Sequence, residues 1–426
     1  MTRFKSFVHQ VLLLILWRIA RGYLRLAPFV SKAHHSGLPP RVVVVPSDTE
    51  NLVGARGDEA MVVAVTKAIL ERQPDALIYM ACSGPGAVDR CAELGFKTLS
   101  VWGGVFMPLH FCAQIRRIDP DFGFVTGADI MDGYYSPVMS LRMIIAADLL
   151  SKVAKAASFV GFSLNGSPTI LVRYAFRALD QRTHVNLRDP VSFGRYQRIS
   201  DSPGRLVADS AFLLEPASNL QNVSRSAIQW IEHERLGGRL VLALNVHPML
   251  FPQDARSTQL PALIDSVNRS VFKEAEQSGV SWLLLPHDDR PTSGDMTTLS
   301  EVYKVLSPTL GDHVHFVEVP PSAAEIKTIM AYVDGAVTGR MHLAIAALGQ
   351  GTPVMAFAYQ DKFKGLLQHF CMPDWLILSA DDATDSVFLS ARLERFVEEL
   401  PALRADVVKH LPRVVEAAEA TFAEIA

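Results

Sequence analysis

The chain has 426 residues, room for two or three domains of ordinary size and too many for a single small module. Hydrophobic residues make up 49% and charged residues 20%, which excludes disorder, collagen and coiled coil as the main state. With 41 basic and 44 acidic residues the net charge is -3, so nothing draws nucleic acid to the chain as a whole and any anion site has to be local. Cys82, Cys91, Cys112 and Cys371 lie far apart, with no CxxC pair and no zinc-knuckle spacing, the usage of a reduced compartment with buried thiols.

The first predicted element is a helix within residues 1–37. Its uninterrupted apolar run, Val11 to Trp17, is too short to span a bilayer. On a helical wheel Phe4, Val8, Val11, Leu12, Ile15, Ile19, Tyr23 and Leu26 share one face and Arg18, Arg21 and Arg25 the other. That pattern suits a basic amphipathic helix touching a membrane peripherally through residues 4–30, and equally one packed on the protein's own body. A cleaved signal peptide fits less well, because the arginines follow the apolar run.

After a polar link, His34 to Pro40, apolar strands alternate with amphipathic helices. Strands are expected at Arg41–Pro46, Ala76–Met80, Phe122–Thr126, Ser158–Phe162, His184–Leu187 and Arg205–Ala208, with a helix from about Asp58 to Arg72. A polar stretch, Glu215 to Arg239, reads as a linker. Beyond it come strands at Leu240–Asn245, Trp282–Leu285, Val314–Val319, Gly335–Thr338, Pro353–Ala358 and Leu376–Ser379, and helices at Leu260–Gln277, Ala323–Val333 and Met341–Leu348. The rhythm predicts an α/β protein of two doubly wound Rossmann-like domains facing across a crevice, residues 38–225 and 236–380. Residues 381–426 read as a helical tail broken at Pro401 and Pro412.

Chemistry is expected in the loops after strand ends. In Asn51-Leu52-Val53-Gly54-Ala55-Arg56-Gly57-Asp58-Glu59 the glycines allow close backbone approach, and Asp58 is placed to cap the following helix. No GxGxxG dinucleotide fingerprint is present. Arg188, at the end of His184–Leu187, is either a fork for a carboxylate or phosphate or half of a surface pair with Asp189; the sequence leaves both open. Thr338-Gly339-Arg340-Met341-His342 and Ala358-Tyr359-Gln360-Asp361-Lys362 place cations at two successive helix starts. There they oppose the helix dipoles unless an anion compensates them. His110, His247, His313 and His315 read as packing or surface residues. Neither His287-Asp288-Asp289 nor the pair Asp129 and Asp132 has a recognisable metal-ligand spacing, and no metal is expected.

Taken in order, Gly57-Asp58-Glu59-Ala60, Leu187-Arg188-Asp189-Pro190-Val191-Ser192, Val207-Ala208-Asp209-Ser210-Ala211-Phe212, Gly339-Arg340-Met341-His342 with Gly351-Thr352-Pro353, and Tyr359-Gln360-Asp361-Lys362 resemble the polysaccharide pyruvyl transferase family. The resemblance runs from about residue 41 to residue 375. It departs from the family pattern in the extra Gly54-Ala55-Arg56 and in the segment Gly161 to Pro168. It implies a fold similar to B-type glycosyltransferases, with the acceptor on the first domain and the donor on the second. It also implies transfer of the pyruvyl group of phosphoenolpyruvate to a sugar of a cell-surface polysaccharide or glycolipid as a ketal.

On that resemblance Arg188, His342 and Lys362, with Arg340 beside them, bind the donor. Arg188 and Lys362 would hold phosphate, Arg340 the carboxylate, and His342 would act as general acid. Asn51, Asp58 and Glu59 fall on the acceptor side, and Asp58, Glu59 and Asp189 are bases by position only. Phosphoenolpyruvate is a co-substrate, no cofactor is obligatory, and the other partner is a saccharide or lipid-linked glycan. The expected place is the inner face of the cytoplasmic membrane. The alternatives are a glycosyltransferase using a nucleotide-sugar donor and a non-catalytic scaffold docked on membrane through its N-terminal helix.

Overall fold

The computed structural model describes residues 3–26, 38–100, 102–288, 290, 294–358 and 361–425. Tyr359, Gln360 and Asp289, with most of the link before Pro40, lie outside them. The chain divides into two compact units: Met1–Gly54, Met61–Leu213 and Val415–Ala426 form the first, Ala55–Ala60 and Leu214–Val414 the second.

The elements begin with α1 (Arg3–Leu26), β1 (Arg41–Val45), α2 (Arg56–Arg72), β2 (Leu77–Ala81), α3 (Pro85–Glu93) and β3 (Lys97–Leu99). They continue with α4 (Met107–Ile118), β4 (Phe122–Thr126), α5 (Pro137–Val153), β5 (Ala156–Val160), α6 (Ile170–Arg177), β6 (Thr183–Leu187), α7 (Pro190–Ile199) and β7 (Gly204–Leu206). The seven strands form one parallel sheet in the order β3-β2-β1-β4-β5-β6-β7. Runs such as Val42 to Val45 are buried throughout, as a sheet covered on both faces requires.

The later elements are α8 (Asn222–Leu236), β8 (Leu240–Asn245), α9 (Arg256–Gln277), β9 (Val280–Leu284), α10 (Met296–Leu310), β10 (Val314–Phe316) and α11 (Ala323–Met330). After them come β11 (Gly335–Thr338), α12 (Met341–Leu348), β12 (Val354–Ala358), α13 (Lys362–Gln368), β13 (Ile377–Ser379), α14 (Ala380–Thr384) and α15 (Ser386–Glu419). Their strands make a second parallel sheet, β10-β9-β8-β11-β12-β13. The strand order reverses between β8 and β11, and ligands of open α/β sheets collect at such a switch point, beyond the carboxyl ends of the strands.

Two expectations are corrected. The supposed linker from Glu215 to Arg239 contains α8, whose buried Glu234 accepts from the hydroxyl of Ser281 and the ring of His313, so a polar residue stands on its inner face. The C-terminal helix is not broken at Pro401 or Pro412: α15 runs through both, its inner face held by Phe396, Leu400, Leu403 and Val407. The end of the tail packs back on the body: Phe422 and Ile425 enter the first unit's core, with Phe422 5.6 Å from Phe124 between ring centres.

The N-terminal helix carries two apolar stripes. Leu13, Leu14, Trp17, Ala20 and Leu24 are buried among α4 and α5. The Trp17 indole donates to Asp148 of α5 at 2.8 Å, and Arg21 reaches the same carboxylate at 3.3 Å and the Ala178 carbonyl at 2.6 Å. Burial pushes the Asp148 carboxyl up, with Arg21 acting against it. The wheel face of Phe4, Leu12, Ile15, Ile19, Tyr23 and Leu26 is the outer one: Ile19 is 54% and Leu26 88% exposed. Arg21 therefore belongs to the stripe facing the body, while Arg18 and Arg25 remain exposed.

Candidate functional site

In the second unit, β8 ends in Asn245 and leads to His247, β9 leads to His287 and Asp288, and β11 ends in Thr338 before Gly339 and Arg340. Arg340 is the residue before α12, and its amide donates to the Thr338 hydroxyl at 2.9 Å. Its guanidinium donates to Asp295 from Nε at 2.8 Å and from Nη2 at 2.5 Å, and its Nη1 lies 3.1 Å from Asp288. The other oxygen of Asp295 accepts from Asn245 Nδ2 at 2.8 Å and from the amides of His287 and Asp288 at 2.9 and 3.1 Å.

This network answers the conflict read from the sequence. The anion that offsets Arg340 at its helix start is supplied by the protein itself, from residues 45 and 52 positions earlier. Burial holds the Asp295 carboxyl above its ordinary value in spite of Arg340. Burial acts in the same sense on Asp288, but Arg290 and Arg340 outweigh it and hold that carboxyl below the usual range.

Two histidines passed over in the sequence lie within this network. His247 is fully buried, its Nδ1 accepting from the Met249 amide at 3.2 Å. Burial pushes its basicity well below the ordinary histidine value, and Arg340 and Lys362 add to this. His287 is likewise driven well down by burial, and the neighbouring His342, Arg340 and Arg56 add to this. The signal was position: His247 and His287 follow β8 and β9 directly, at the end of the sheet where ligands bind.

The same packing explains two glycines. A Cβ on Gly339 would lie 2.5 Å from Nε2 of His247, and a Cβ on Gly57 would lie 2.2 Å from Nδ1 of His342. Both positions therefore admit only glycine unless an imidazole moves.

Of the predicted site residues, Arg340, His342 and Lys362 come together in the second unit with Arg56, Gly57, Asp58 and Glu59, which group with that unit and not with the first. Helix α2 starts at Arg56, so Asp58 and Glu59 occupy its first turn and Asp58 is not its cap; there the acids favour the helix dipole. Arg56 pairs with Glu59 at 3.2 Å and donates to the Pro320 carbonyl at 3.0 Å.

Asn51 and Arg188 belong to the first unit. Asn51 is exposed and donates to Asp48. Arg188 presents no open fork and does not pair with Asp189. It is buried, donating to Asp209 at 2.7 Å and to the Ser163 hydroxyl at 2.7 Å, an interior ion pair. Asp189 caps α7 ahead of Pro190, accepting from the Ser192 amide at 2.7 Å and from the hydroxyls of Ser163 and Ser192. With both oxygens so engaged, it is poorly placed as a base.

By fold, the chain is an α/β protein of the class shared by B-type glycosyltransferases and nucleotide-sugar epimerases. It is similar to a putative UDP-N-acetylglucosamine 2-epimerase from Listeria monocytogenes, with a TM-score of 0.58 and 10% identity over 91% of this chain and 95% of that one. It is also similar to UDP-GlcNAc 2-epimerase from Neisseria meningitidis bound to UDP-GlcNAc (TM-score 0.55, 10% identity, 90% of this chain and 99% of that one). The UDP-GlcNAc 2-epimerase from Methanocaldococcus jannaschii gives a TM-score of 0.52 at 10% identity over 83% and 92%. No curated protein matches the chain by sequence.

Residues 56–361 match the family model of polysaccharide pyruvyl transferases, and the chain belongs to that family. The match is narrower than the resemblance from about 41 to 375. It opens at Arg56, the first residue of α2, and stops one residue before Lys362.

Proposed function

We propose that the chain transfers the pyruvyl group of phosphoenolpyruvate to a saccharide or lipid-linked glycan of a cell-surface polysaccharide, forming a ketal and releasing phosphate. Family membership supports the reaction class. The observation that carries the donor assignment is the grouping of Arg340, His342 and Lys362 around His247 and His287 at the switch point of the second sheet.

In this reading Lys362 holds the donor phosphate. Arg340, its charge balanced by Asp288 and Asp295, gives orientation rather than excess charge. His342 donates a proton to the methylene carbon. A sugar hydroxyl then adds to the neighbouring carbon, and a second hydroxyl displaces phosphate and closes the ring. One hydroxyl proton restores the imidazole and the other leaves with phosphate. Arg188, locked to Asp209, is assigned to the architecture of the first unit and not to the donor.

The deciding experiment compares melting temperatures with phosphoenolpyruvate and with nucleotide sugars, each at about 100 times its dissociation constant, where a true ligand adds about 2.7 kcal/mol. A shift with phosphoenolpyruvate, followed by phosphate release once a glycan is added, supports the proposal. A shift with a nucleotide sugar alone favours the glycosyltransferase reading.

Lys362→Ala should raise the apparent KM for phosphoenolpyruvate by about 10- to 100-fold, the range of one lost charged hydrogen bond. An unchanged KM would remove Lys362 from the phosphate site. Gly57→Ala should displace the His342 ring and lower kcat on the order of 100-fold, as a shift of about 1 Å in a reacting group does. Phosphate-release rates measured beside a thermal melt separate this from unfolding.

A further inference from the structure

The outer stripe of α1 is left over by the reaction, and so is the charge around it. Helices α1, α4 and α6 together hold nine basic residues and no aspartate or glutamate. The rest of the chain then has 32 basic against 44 acidic residues, a net of -12. The three helices adjoin: Arg18 of α1 donates to the Tyr174 hydroxyl of α6 at 2.6 Å, and Arg116 of α4 stands 4.8 Å from the centre of the Tyr23 ring. Exposed apolar side chains also stand at the starts of the two neighbouring helices, with Ile170 of α6 75% and Phe106, just before α4, 56% exposed.

We infer that this face docks on an anionic lipid bilayer, α1 lying in the plane of the interface. Its outer stripe would enter the acyl boundary, with Lys5, Arg18 and Arg25 reaching lipid phosphates from the flanks. Charge complementarity selects this occupant. A second copy would bring the same cations against themselves, whereas an anionic leaflet attracts this face and repels the acidic remainder of the chain. The run Val11 to Trp17 is too short to span, whereas Phe4–Leu26 as a whole is long and apolar enough to cross a membrane; yet its inner stripe is fixed to α5 by Trp17, Arg21 and Asp148, so it lies on the surface and does not cross. The inference does not rest on the proposed reaction.

The test uses the full chain, without donor or glycan, and vesicles of phosphatidylcholine with or without phosphatidylglycerol. Sedimentation with the mixed vesicles is expected at least about tenfold above that with phosphatidylcholine alone, and added salt should weaken it. The double variant Ile15→Asp with Ile19→Asp, both outer residues, should lose at least about tenfold of this binding while keeping its melting temperature. If that variant is unfolded, Lys5→Glu with Arg25→Glu tests the same face through charge. Equal sedimentation with both vesicle types, or binding indifferent to the substitutions, overturns the inference. So does a dimer that Ile15→Asp with Ile19→Asp splits, since a second copy then covers the stripe.

Discussion

His342→Ala is expected to lower phosphate release from phosphoenolpyruvate by about 100- to 10,000-fold, the range for removing a positioned general acid. The imidazole stands one residue into α12, with its Nδ1 close against Gly57, so its position is set by two segments that only the fold brings together. Removing it leaves the Arg340 network with Asp288 and Asp295 in place, so the melting temperature and the affinity for phosphoenolpyruvate should change little. A variant that keeps most of its turnover would transfer the acid role elsewhere. One that loses donor affinity while keeping kcat would make His342 a binding residue.

Acid should destabilise the second unit well before carboxylates titrate. His247 and His287 are held neutral, their folded-state values well below 6.5, chiefly by burial and then by nearby cations. The unfolded chain protonates both histidines near pH 6.5 and the folded chain does not, so unfolding takes up protons. The stability is complete above pH 6.5 and falls as pH drops from there towards the folded values. Each histidine contributes about 1.4 kcal/mol per pH unit in that window, so the pair contributes about 2.7 kcal/mol per pH unit. Denaturant melts between pH 7 and 5.5 measure the slope, and His287→Gln should halve it. A half slope would mean that one ring is charged in the folded state, and a flat profile that both are.

Much of the architecture was legible because its signals are local. Strands such as Leu240–Asn245 and Gly335–Thr338 are apolar runs closed by loop residues, and helix α12 follows Gly339 where expected. Strand β3 was missed because it has three residues and begins with the exposed Lys97, while the polar inner residue Glu234 hid α8. The candidate site was half legible. Arg340, His342 and Lys362 stand at strand ends and could be found by position. Asp295, which balances Arg340, lies 45 residues away, and Asp209, which buries Arg188, lies 21 away. A charge looks unbalanced in sequence when its partner is distant, and only the folded chain distinguishes an open cation from a closed pair. For α1, a wheel scored for one apolar face could not reveal that the helix has two.

The seating of Phe422 and Ile425 in the first unit's core has a consequence for the order in which the chain becomes a protein. Leaving the ribosome from the N-terminal end, the first sheet can form early, but the slot beside Phe124 stays open until residues 214–414 have been translated. At about 5–20 residues per second that delay is roughly 10–40 s. The second unit can thus be assembled on a nascent chain whose first unit is still unsealed. Holdase binding to the stalled intermediate, rather than to the finished protein, is where this ordering would become visible.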